Sequence, residues 1–387
     1  INEPIEEGWR DYSIRPAPEA DDATWCRRVF LDVIGRIPSH QELKEFLDER
    51  GDRRAKLVDR LLHDDRYTEE YAGHWATVWT NLLIGRSGGN DRRSMTSRDG
   101  MQKYLRDSFA MNKPYNKIVY ELVTAVGATK PGANNFNGAV NFLVDKVNEE
   151  KAVLATSSTS RIFLGQQVQC TQCHNHPFNQ WKQQKFWELN SFFRQTRSLR
   201  RFVDGTNDID YAEVVSEDYA GEADDPGNAL VFYELRNGLT KVAYPVFTDG
   251  TAIEVSGFVS EVNRREELGR LMMESEYLDK MIVNRMWAQF FGHGFTKPID
   301  DLGPHNPASH PDLLELLGRE FRKSSYDLKQ LITWITLSRP YQLSAVLGSN
   351  NSIDDPSIGE MPKFSRSYVR QMSAEQLYQS MLTAADA

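Results

Sequence analysis

Apolar residues recur at helical spacing through two long stretches of this chain and lose that spacing between them. In the first stretch Cys26, Val29, Phe30 and Val33 fall at i, i+3, i+4 and i+7, and Tyr71, Trp75, Val78, Trp79 and Leu82 repeat the pattern. In the second, Leu278, Ile282, Val283, Met286, Trp287 and Phe290 do the same. Only a helix turns residues at that period onto one face, so helices must supply the core. Local signals agree. Asp22 can cap a helix that runs to Gly35, and Ser39 with Glu42 forms a capping box ahead of Leu43, Phe46 and Leu47. Leu57, Val58, Leu61 and Leu62 mark the next helix, and two more are predicted over 101–111 and 115–126. Pro311 sits in the first turn of a Leu-rich helix, Asp327 opens another, and Ser373 with Gln376 opens the last.

Between 200 and 260 the pattern changes to an acidic loop and short runs, Leu230–Tyr233 and Val242–Tyr244, punctuated by Pro245, Gly250 and Gly257. The expected fold class is mainly α: a multi-helix core with a small inserted β-meander, α+β overall. A chain of 387 residues exceeds one ordinary core. The expected segments are 1–200, helical with the Cys/His cluster; 201–260, the β-rich insertion; and 261–387, helical. A polar linker covers 347–360, and the last helix stops abruptly at Ala387, which leaves open whether the native chain extends beyond it. The chain opens on Ile1, and a removed targeting segment is visible neither way.

Cys170-Thr171-Gln172-Cys173-His174 carries the most specific chemistry. C-x-x-C-H is the attachment pattern of a c-type haem. Two thiols one helical turn apart reach two vinyl groups on one porphyrin edge, and the following imidazole, His174, lies beneath iron as its proximal ligand. Pro177 biases His176 away from helical geometry, so the chain turns out just beyond. His176 is badly placed for the opposite face of the same iron. It reads as a group contacting a propionate or as a turn residue. Trp181, Phe186, Trp187, Leu189, Phe192 and Phe193 then form an aromatic helix, suited to a porphyrin wall or to core packing. Spacing does not name the sixth ligand; His74 beside Trp75 and His305 are the distal candidates, with His310 at a helix start. Met272, Met273 and Met286 read as core. The alternative cofactor is zinc, because Cys170, Cys173 and His176 have C-x2-C-x2-H spacing that a distant His could complete. A redox-active C-x-x-C lacks a βαβ context here.

Composition narrows the rest. A net charge of −9 argues against general nucleic-acid binding. No apolar run is long enough for a transmembrane helix. Three cysteines exclude a disulfide framework and leave Cys26 on a core stripe. Asp300-Asp301 is the best carboxylate pair for a hydrolase, although adjacent side chains diverge. The acidic stretch with Asp204, Asp208, Asp210, Glu217, Asp218, Glu222, Asp224 and Asp225 offers calcium ligands but lacks EF-hand spacing, and reads as a solvated loop. Arg86, Arg92, Arg93 and Arg98 face either haem propionates, a sulfated glycan or solvent.

Longer motifs extend the picture. Arg27-Arg28-Val29-Phe30-Leu31-Asp32-Val33-Ile34-Gly35-Arg36-Ile37-Pro38, Leu57-Val58-Asp59-Arg60-Leu61-Leu62, His74-Trp75 and Cys170 through Phe178 resemble a cytochrome-associated domain of unknown function found chiefly in planctomycete bacteria. Val283-Asn284-Arg285-Met286-Trp287, Phe291-Gly292-His293-Gly294, Asp300-Asp301-Leu302-Gly303, His305-Asn306-Pro307 and Ser309 through Leu314 resemble its usual partner domain. His293 departs from that pattern. The resemblance implies exported or surface proteins, often encoded with sulfatases and polysaccharide-degrading enzymes. The expectation is thus an extracytoplasmic (periplasmic or cell-surface) protein with one covalent haem c. It would be a redox enzyme or electron-transfer protein, meeting a redox partner or a small-molecule or glycan substrate. The length favours an enzyme, since a simple single-haem carrier needs only a small domain. The rivals are a zinc-stabilised or metal-free carbohydrate or cell-surface binding module, and a hydrolase using Asp300 or Asp301.

Overall fold

A computed structural model describes residues 1–386 apart from Arg92, Arg93 and Glu149. Among these, 51% are helical and 8% are in strands, with sixteen α-helices and small antiparallel sheets. The mainly α class read from periodicity is the class observed. The capping signals are realised in detail. Asp21, one residue before the expected cap, accepts from the Thr24 amide at 2.9 Å, and the helix Asp22–Ile34 closes on Gly35 in the left-handed region. Both expected capping boxes, Ser39 with Glu42 and Ser373 with Gln376, are made reciprocally.

The chain divides into two compact units, each discontinuous in sequence. The first comprises residues 1–75, 108–114 and 279–387. Its core is aromatic: Trp25 stacks on Phe46 at 5.9 Å, Trp75 on Phe290 at 6.1 Å, and Trp287 on Phe291 at 4.4 Å. Two buried carboxylates are fully engaged inside it. Asp32 accepts from Tyr341 Oη at 2.7 Å and Arg370 Nη2 at 2.6 Å. Asp354 accepts from the Lys363 and Ser365 amides, Ser365 Oγ and Tyr368 Oη, all within 2.8 Å.

The second unit comprises residues 76–107 and 115–278. Its helices include Val153–Leu164, Gln183–Asn190 and Arg264–Glu274. Gly269 lets the last of these lie against Tyr115–Thr124; a Cβ there would sit 2.8 Å from the Tyr120 ring. The strands form two sheets. Thr196–Phe202 pairs antiparallel with Ile209–Ser216, which also takes up Gly127–Ala128 on its other edge. A separate hairpin joins Val231–Glu234 to Thr240–Ala243. The first strand starts inside what periodicity assigns to the helical segment, and Ile209–Ser216 occupies part of the expected acidic loop. Ala212 and Val214 are buried on that strand and alternate with half-buried Tyr211, Glu213 and Val215.

Candidate functional site

The pentapeptide lies wholly in the second unit. Helix Val153–Leu164 ends on Gly165, and a single turn of 3-10 helix follows at Gln169–Gln172. Thr171, fully buried, donates its hydroxyl and its amide to the Val168 carbonyl at 2.6 and 2.9 Å. With Thr171 turned in, Cys170 and Cys173 are turned out: both thiols are free and exposed. The turn is fastened to the following helix. Gln172 O accepts from Trp187 Nε1 at 3.1 Å and Gln183 Nε2 at 3.2 Å, while Asn175 Oδ1 accepts the Gln183 amide at 3.0 Å. Beneath it sits a small core of Val168, Phe186, Trp187, Tyr219, Val231 and Tyr233. The aromatic helix therefore supports the pentapeptide, although Trp181 precedes Gln183–Asn190 and Phe192–Phe193 continue as a 3-10 turn.

The two histidines differ in which nitrogen is available. His174 Nδ1 lies 2.7 Å from the Asn175 carbonyl oxygen, which can only accept, so Nδ1 carries the proton and Nε2 presents a lone pair. That is the arrangement a metal-bound imidazole adopts, its second nitrogen donating to a backbone carbonyl. His176 Nδ1 instead accepts the Phe178 and Asn179 amides, each at 3.2 Å, so its proton is on Nε2. His176 is a donor and a turn-former, the turn closed by its amide to Trp181 O at 2.8 Å. The donor set fits a covalently held haem: two outward thiols and, one residue on, an imidazole with its Nε2 lone pair unengaged. The C-x2-C-x2-H zinc set of Cys170, Cys173 and His176 fits less well, because the His176 Nδ1 lone pair is taken by the Phe178 and Asn179 amides. Among the described residues no three His, Cys, Asp or Glu side chains gather as an ion's ligands.

Beside Cys173 opens a cleft of about 290 Å³, lined by Gln172, Gln183, Trp187, Glu234, Leu235 and Arg236 as well. Phe178, edge-on to the His176 ring at 6.2 Å, is 86% exposed, which is unusual for so large an apolar side chain.

The distal candidates belong to the first unit. His74 stands against Trp75 at 5.4 Å, and a Cβ on Gly35 would come within 2.4 Å of its Nδ1. Its Nε2 is closed off from solvent without a hydrogen-bond partner, and burial holds its pKa down to about 4. His305 Nε2 is engaged by Asp301 Oδ1 at 2.9 Å, and Asn306 Nδ2 donates to the Asp301 carbonyl at 2.8 Å. The Asp301 carboxylate thus helps to pin a turn. His310 bonds Ser309 Oγ at 3.0 Å, and burial holds its pKa too at about 4.

The remaining candidate residues serve the fold. Burial pushes the Cys26 thiol up to about 12, so it is inert. Met272 and Met286 are core. The acidic stretch is dispersed: Asp210 pairs with Lys130 at 2.6 Å, Asp218 accepts the Val259 amide at 2.8 Å, and Glu222 meets Lys151 at 3.2 Å. Calcium has no shared site there. Arg98 folds into its own loop, donating to Gly85 O and Asn81 Oδ1, while Arg92 and Arg93 lie outside the described residues. Sequence reasoning missed Arg264 and Arg265, both fully buried without a carboxylate partner; burial lowers each to about 10. Arg264 donates to the carbonyls of Ser191, Ala229, Val255 and Ser256, and Arg265 to those of Val123 and Ala125 and to Ser216 Oγ. Nothing in the local sequence distinguishes them from surface arginines.

No helix among the described residues is long and apolar enough to cross a membrane. No curated protein and no solved structure gives a significant match. The family description PSD1, protein of unknown function (DUF1553), matches residues 264–387, leaving 199–263 outside both matches. Residues 1–198, which contain the pentapeptide and its supporting helix, match PSCyt2, protein of unknown function (DUF1549), and the chain belongs to that family, followed by its PSD1 partner.

Proposed function

We propose that this chain is an extracytoplasmic c-type haem protein, a redox enzyme or electron-transfer protein linked to polysaccharide metabolism. Cys170 and Cys173 hold one haem, and His174 is the proximal ligand. The observation that carries this reading is the His174 Nδ1 bond to Asn175 O, which leaves Nε2 as a lone-pair donor beside two outward thiols. Cys170 and Cys173 would each supply a thiol for a thioether link to one vinyl group, an addition that exchanges no electrons. Bound in this way, a haem supplies one-electron chemistry at iron. The chain's own part is to fix and shield. Thr171 and the two bonds to Gln172 O set the spacing of the thiols, and the buried Phe186 and Trp187 hold the turn from beneath. Phe178 gains cover for a face otherwise left in water. Location outside the cytoplasm and a glycan-related role rest on the family setting.

The test is the visible spectrum of protein made in a host able to attach haem c. A Soret band that survives acid-acetone extraction is expected. A colourless protein containing stoichiometric zinc would overturn the reading.

A further inference from the structure

The hairpin Val231–Glu234 with Thr240–Ala243 lies outside both family matches, yet it closes the cleft beside Cys173. It is fixed there at two points. Gln183 Nε2 donates both to Gln172 O in the pentapeptide, at 3.2 Å, and to Glu234 O at the hairpin end, at 2.9 Å. Tyr233 stacks on Trp187 at 6.0 Å with ring planes 12° apart. The tip is ordered by Leu235 N to Leu239 O and Gly238 N to Leu235 O, both 2.9 Å, with Gly238 at φ +80°. Leu235 and Arg236 face the cleft, and Leu239 is 58% exposed on the same tip.

Resting on the haem reading above, we infer that this hairpin is the second wall of the haem site, with Arg236 pairing one propionate. The cleft is lined by the edge of Trp187 and half-buried Leu235 for a porphyrin edge, and by Arg236, which is exposed. A carboxylate at that rim is drawn to Arg236 and away from the neighbouring Glu234, which fixes how the ring is turned. Because the hairpin is not covered by either family match, Arg236 tunes this protein beyond the attachment site that the family match spans.

The experiment uses the haem-loaded full chain. Arg236→Gln, Arg236→Lys and, as a control on the same hairpin, Lys241→Gln are compared for haem per protein and for reduction potential at low and high salt. The expected result is unchanged haem content and a lower potential for Arg236→Gln, most of it restored in Arg236→Lys, with Lys241→Gln shifting less. Salt should shrink the difference as it screens the pair. A haem-loaded Arg236→Gln protein at the wild-type potential, or one matched by Lys241→Gln, would overturn the inference and leave the haem reading standing. Wild-type protein without haem would end both.

Discussion

Two histidine-bearing loops, 169–181 and 298–310, handle their polar groups in opposite ways. In the second, reactive side chains answer one another: His305 takes Asp301, His310 takes Ser309, and Asn306 takes the Asp301 carbonyl. In the first, residues of little reactivity do the holding. Thr171, Asn175, Asn179 and Gln183 bind backbone, while Cys170 and Cys173 are left exposed and His174 engages through Nδ1. The difference teaches that a histidine is diagnosed by which nitrogen its neighbours leave over, and neither its presence nor its loop location decides the matter.

The largest effect should come from Cys170→Ser with Cys173→Ser, which removes all acid-stable haem absorbance while the chain still folds, since both thiols are exposed. Under the same spectrum His305→Ala should change nothing; a shifted Soret band would break the comparison by making the closed loop part of the site. Next comes acid. Burial keeps His74 and His310 neutral down to about 4, against 6.5 when exposed, so the unfolded chain binds protons that the folded chain refuses. Stability is therefore full above about 6.5 and falls as pH drops towards 4; the thermal midpoint followed over that range should decline, and less steeply in His310→Gln. A smaller effect is expected for Asp301→Asn, which keeps a hydrogen bond and loses a charge at a partly exposed pair. Urea unfolding should show a loss of about 0.5–1 kcal/mol. The smallest is Phe178→Ser, within about 0.5 kcal/mol in haem-free protein because the ring is in water. In haem-loaded protein the same change should cost measurably more, and equal costs would show that Phe178 covers nothing.

Much of the helical framework was legible because its signals are local. Ser39 with Glu42 and Ser373 with Gln376 are complete within four residues, and both boxes form. The pentapeptide was legible for the same reason. What was hidden depends on distant partners. Gly127–Ala128 is a strand only because Val214 and Glu213 lie beside it, and two residues carry no alternation to read. Cys170 and Cys173 gave the thiols, but the assignment of His176 as a donor needed the Phe178 and Asn179 amides, which only a folded turn brings to Nδ1. The burial of Arg264 and Arg265 was invisible because their partners are main-chain oxygens, which every sequence contains.

That last feature bears on how the protein can be cut. Arg264 is the first residue of the PSD1 match, yet the carbonyls it holds belong to Ser191, inside the PSCyt2 match, and to Ala229, Val255 and Ser256, inside neither. A truncation at 264 parts this buried cation from all four carbonyls, and one at 198 parts it from Ser191. The family borders trace inheritance, and expression boundaries should instead keep residues 191–265 together.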